Sequence, residues 1–60
     1  MGNIDAEYIQ TFEIFDVNGE NYGKIVSNQH RLPYILREKG YARGVYVAKS
    51  AKKVIKVIVE

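Results

Sequence analysis

Apolar and polar residues follow two different periods along this chain. From Glu7 to Val17 (EYIQTFEIFDV), aromatic and β-branched residues dominate, as in a strand. Even positions give Tyr8, Phe12 and Ile14, and odd positions give Ile9, Phe15 and Val17, so both faces are apolar over part of the length. Asn18-Gly19 follows, a pair in which both residues accept positive φ and which marks a reversal. Gly23 is a second break, extending the expected loop to residue 21 or 22. Tyr22 to Ser27 (YGKIVS) reads as the return strand.

The period then changes. Leu32, Ile35, Leu36 and Lys39 fall at i, i+3, i+4 and i+7, one face of a helix. Pro33 fixes its start, because proline belongs in the first helical turn, where its missing N–H has no partner to lose. Gly40 supplies the stop by entering the left-handed region, and Tyr41 can then fold back on Leu36 or Arg37. Arg37 and Lys39 sit in the last turn, where cations suit the helix dipole. A helix over about residues 32–39 has roughly two turns and is unstable alone, so a sheet must hold it.

Val45 to Lys49 (VYVAK) reads as a third strand and Val54 to Val59 (VIKVIV) as a fourth. The turn between them, KSAKK, lacks the Gly, Asn or Asp of a tight hairpin. A rival helix would align Val47, Ala51, Val54 and Ile58. It would expose Val45, Ile55, Val57 and Val59, and β-branched residues dominate the segment, so strand–turn–strand is preferred.

The expected fold is therefore a small α+β domain of order β-β-α-β-β, with antiparallel hairpins around one short helix. It spans residues 1–60 as a single unit, with residues 1–6 as a loose arm. Strands one and four both look too apolar to be half-solvated. One short helix cannot cover two such faces, so either the sheet curls into a small barrel or a second chain covers the other face. A two-fold dimer is the commonest closed assembly, and a homodimer, with interleaved hairpins as one form of it, is the expectation.

Composition narrows the function classes. Sixty residues bury only about 60% of the extended-chain surface, so the monomer is marginal. Cysteine is absent, which removes disulfides and thiolate metal sites and fits a reducing compartment. No apolar run approaches the roughly 18 residues of a membrane span, and the first residues lack a signal's basic and apolar regions. A cytoplasmic protein with no membrane partner is the expectation.

Net charge is only +2, yet residues 1–22 hold five acidic residues and no Lys or Arg, while residues 23–60 hold nine Lys or Arg against Glu38 and Glu60. Such asymmetry fits an acidic and a basic face, a self-complementary dimer or a nucleic-acid footprint. It fits equally two hairpins whose charges partly neutralise across a sheet.

Catalytic chemistry finds little support. His30 is the single histidine, with no local ligand set for a metal and no acid to orient a Ser27–His30 pair. Glu13, Asp16 and Glu20 serve better to keep a strand edge soluble. The glycines form no phosphate-binding loop. No enzyme activity and no cofactor are expected.

The basic residues are the stronger lead. Arg31, Arg37, Lys39, Arg43, Lys49, Lys52 and Lys53 are candidate nucleic-acid contacts, joined by Asn28 and Gln29 of the polar stretch SNQHR. Lys and Arg neutralise phosphates, and Arg grips phosphate or guanine with two donors. Tyr22, Tyr34, Tyr41 and Tyr46 are interleaved with them, and flat rings stack on unpaired bases.

The run Gly23-Lys24-Ile25-Val26, then Pro33, Gly40-Tyr41, Val45-Tyr46-Val47 and Val54 to Val59, is similar to the swapped-hairpin AbrB-type transcription regulators. That resemblance implies an interleaved dimer that binds DNA through basic residues near the hairpin, although SNQHRL here separates the second strand from the proline. Val17-Asn18-Gly19 followed by Gly23-Lys24-Ile25 also resembles the first motif of Sm-like RNA-binding barrels. These positions assign the chain to no family. The functional expectation is a DNA-binding transcriptional regulator acting by occupancy, with DNA ahead of RNA. The alternative is a non-catalytic protein-binding module, an adaptor or inhibitor of a larger protein.

Overall fold

The computed structural model describes residues 8–60, so the expected arm at residues 1–6 lies outside it. The elements are β1 (Gln10–Asp16), β2 (Asn21–Ser27), α1 (Leu32–Glu38), β3 (Gly44–Lys49) and β4 (Val54–Val59). The two hairpins join through β1 and β3, giving an antiparallel sheet of order β2-β1-β3-β4. The sheet is open, with β2 and β4 as edges, so the barrel does not form. The rival C-terminal helix does not form either.

Strand alternation sorts the side chains onto two faces. Phe12, Ile14, Ile25, Tyr46, Ala48, Val57 and Val59 point to one face and are buried beneath Leu32 and Leu36 of α1. Ile35, Tyr41 and Ile55 close the margins of this core. The helix packs chiefly on β4. β1 pairs on both sides inside the sheet, yet it is covered on one face only: Phe12 and Ile14 are buried beneath α1, whereas Phe15 on the opposite face is half-buried. The reading of β4 needs the same correction. It is an edge strand covered on one face only, with Val54 61% and Ile58 54% exposed.

The helix ends as its sequence requires. Gly40 takes φ 92°, Gly40 N–H donates to Arg37 O and Tyr41 N–H donates to Leu36 O, each at 3.1 Å. This pair of bonds is the Schellman arrangement, which satisfies carbonyls the helix would otherwise orphan. At the start, the N-cap Arg31 makes no side-chain capping bond, and Pro33 lies in the first turn. Asn28 Oδ1 instead accepts the Arg31 N–H at 2.7 Å, fixing the turn that delivers the chain to α1.

Both hairpin turns differ from the simplest expectation. Gly19 alone has positive φ at the first (88°), and no non-glycine residue does among those described, so Asn18 does not take the conformation expected of it. Asp16 organises this turn. Its carbonyl accepts the Gly19 N–H at 3.0 Å, and its Oδ1 accepts the N–H groups of Asn18 and Glu20 at 2.8 and 2.9 Å. At the second turn Ser50 replaces the missing Gly or Asn. Its Oγ accepts the N–H groups of Lys52 and Lys53, each at 3.2 Å.

Gly23 lies inside β2 and not in the loop. Ile14 pairs with Gly23 and Phe15 with Asn21, which leaves Tyr22 unpaired in a bulge. Gly23 at φ 106° accommodates it. The bulge shifts the alternation by one residue and brings the Tyr22 ring to the helix side, against Tyr46.

Candidate interaction surface

The expected nucleic-acid residues divide between two regions. Arg31, Arg37, Lys39 and Arg43 are exposed around α1 and the loop after it, whereas Lys49 and Lys52 are exposed at the β3–β4 turn. Lys53 is partly buried there, and its Nζ donates to Gln29 Oε1 at 3.1 Å. Gln29 and Asn28 thus both have structural partners, one tying the linker before α1 to the second hairpin and the other shaping that linker. Lys52 Nζ lies 5.1 Å from the centre of the Tyr8 ring.

Three of the four interleaved tyrosines are used internally. Tyr22, Tyr41 and Tyr46 pack together with ring centres 5.4 to 5.8 Å apart, in tilted and edge-on arrangements that suit aromatic quadrupoles. Tyr46 donates to Ala42 O at 2.7 Å, and Tyr22 donates to Asp16 Oδ2 at 3.2 Å. Backbone donation, from Glu20 first, holds the Asp16 carboxyl below its ordinary value. Desolvation, then the charge of Asp16, pushes the Tyr22 hydroxyl up. Burial does the same to Tyr41. These groups staple the end of the core, and of the four rings only Tyr34, 70% exposed, stands free of the cluster.

The face of the sheet opposite α1 has no element over it among the described residues. Pairing sets its side chains in rows. One row runs Lys24, Glu13, Lys49 and Val54 from β2 to β4. The next runs Asn21, Phe15, Val47 and Lys56. Val45 pairs with Ile58 beyond it, and Thr11 with Val26 at the opposite end. Glu13 therefore sits between two lysines, which is the neutralisation across the sheet that charge asymmetry allows, and Asn21 Nδ2 donates to its Oε2 at 2.7 Å. The apolar remainder is substantial: Val26 is 65% exposed and Val45 40%, with Phe15 and Val47 half-buried between them.

Periodicity did not reveal this surface as solvent-facing. Its signal was the doubly apolar character of β1 and β4, which pointed to a second covering layer that the chain's described residues do not supply. No cluster of three or more potential metal ligands occurs among the described residues. No helix there is long and apolar enough to cross a membrane. Comparison with protein-family models, curated proteins and solved structures gives no match.

Proposed function

We propose that this chain is a non-catalytic protein-binding module that works by seating a partner on the uncovered face of its sheet. The observation that carries this reading is the apolar group Phe15, Val45, Val47 and Ile58 on that face, rimmed by Lys56 and the Lys24–Glu13–Lys49 row. Contiguous exposed apolar surface with a polar rim is typical of interaction sites. Covering the exposed part of one such Val or Ile contributes on the order of 1 kcal/mol. A homodimer is one form of the same reading, with a second copy as the covering layer.

The test compares wild type with Val45→Asn/Val47→Asn and with Arg37→Ala/Arg43→Ala as immobilised baits for source-cell extract. The open-face pair should lose a protein that the arginine pair retains. Equal retention by all three overturns the assignment of the face.

DNA or RNA binding, as a regulator acting by occupancy, is the second reading. It is favoured by the approach of Lys49 and Lys52 at one turn, with Lys24 two strands away in the row of Lys49. Three phosphate contacts from these lysines would give a log–log salt slope of about −3. Fluorescence anisotropy with duplex DNA and single-stranded RNA measures it, and Lys49→Ala/Lys52→Ala should weaken binding on every sequence. Unchanged binding would remove these lysines from the reading.

A further inference from the structure

The two sheet edges are not alike. β2 is interrupted by the bulge at Tyr22 and Gly23, and the Tyr41 hydroxyl approaches Tyr22 O at 3.4 Å. Bulges and charged residues are the usual defences of an edge. β4 has neither bulge nor proline, and Lys56 is its one charged residue. Its six residues pair with β3 without a break in register, and five of the six are Val or Ile.

The ladder shows which backbone groups of β4 are free to accept a strand. At the turn, Ser50 N–H donates to Lys53 O at 2.8 Å. In an antiparallel pair the bonded positions recur every second residue. Ile55, Val57 and Val59 therefore turn their N–H and C=O groups towards β3. Val54, Lys56 and Ile58 turn theirs outward. A shallow groove follows this edge, walled on the helix side by His30, Pro33, Tyr34 and Arg37.

We infer that the β4 edge accepts an extended segment of a partner protein, with a carboxylate opposite Lys56 and apolar residues opposite Val54 and Ile58. Addition of a strand supplies main-chain hydrogen bonds, and alternate side chains supply specificity. Charge chooses between a foreign strand and a second copy. Full antiparallel overlap of two β4 edges, matching outward group to outward group, sets Lys56 directly against Lys56. Like charges opposed across a strand pair are destabilising. An acidic residue at that position, on the same face as Lys56, is attracted instead. The inference rests on the protein-binding reading and shares the side chains of Lys56 and Ile58 with the open face. Its main-chain contacts lie along the β4 edge, which β1 and β3 do not reach, so the two can fail separately.

The probes are two seven-residue peptides alternating threonine and valine, one with glutamate and one with lysine at the centre. Each is titrated into the labelled chain and followed by amide chemical shifts at low salt. The glutamate peptide should bind at least fivefold more tightly, with the largest shifts at Val54, Lys56 and Ile58. Lys56→Glu should reverse the preference. Ile58→Pro removes an outward donor while sparing the bonds to β3 and should abolish binding of both. Phe15→Asn, an open-face change on β1 with no pairing to β4, should leave peptide binding intact, which separates this site from the open face. Equal binding of the two peptides, shifts centred away from β4, or wild-type self-association through β4 would overturn the inference. If the peptides fail while the open-face variant still loses its partner, the edge is wrong and the broader reading stands.

Discussion

At the scale of single residues, Gly40 and Asp16 carry more of the structure than their exposure suggests. Gly40 ends α1 at φ 92°, where a Cβ is strained although space around it is open. Gly40→Ala should destabilise by about 1–2 kcal/mol, measured by urea unfolding, and Gly40→Asn by less. Asp16 holds three hydrogen-bond donors around the first turn through its side chain, and its carboxyl titrates below the ordinary value of 3.8. A depressed carboxylate stabilises the fold above its unfolded value, and that contribution disappears as pH falls through the folded value. Asp16→Asn should therefore lower the unfolding midpoint at pH 7 and lose much of that deficit by pH 3. A deficit of the same size at both pH values would show that its charge is irrelevant. The Asn18-Gly19 pair announced the reversal, but the turn's actual organiser was hidden, because a carboxylate that bonds backbone N–H groups looks like any edge-solubilising acid.

At the scale of elements, α1, β2, β3 and β4 were legible from local pattern. Pro33 and Gly40 bracketed the helix, and Val54 to Val59 matched the strand observed. What pattern could not give was the partner of each strand. The β1–β3 pairing joins residues roughly thirty positions apart, and nothing local records it. That pairing makes β1 internal and β4 an edge, so similar apolar composition has two different environments. The bulge at Tyr22 was also hidden: Gly23 signalled a special backbone, but only the register shows that it redirects Tyr22 into a ring cluster. The candidate cations were legible as a set and not as a site, since helix and sheet carry them to separate regions. Leu36, fully buried, ties α1 to the sheet. Leu36→Ala should cost about 2–5 kcal/mol, a large share of the stability of so short a domain. Loss of cooperative thermal unfolding by circular dichroism would register it. Ser50→Ala should cost less and should raise amide exchange at Lys52 and Lys53, whose N–H groups it bonds.

At the scale of the whole molecule, the chain is two layers, measuring 36 × 21 × 15 Å, with one sheet face covered by a single short helix. The covered face uses the large buried side chains Phe12, Ile14, Leu32 and Leu36. The opposite face keeps Phe15 and several Val and Ile residues in a setting that a solitary sheet would fill with polar groups. The proposed partner of complementary surface would account for that choice, and the net charge of +2, with Glu13 set between lysines, provides only a modest polyanion field. The most direct measurement is the salt dependence, between about 50 and 200 mM, of whatever the immobilised chain retains from nuclease-treated extract, a range over which phosphate contacts weaken strongly. The account predicts a retained protein whose amount hardly changes with salt and which Val45→Asn/Val47→Asn fails to hold. Retention that nuclease treatment abolishes, or that falls steeply over this range and survives the open-face substitutions, would contradict it.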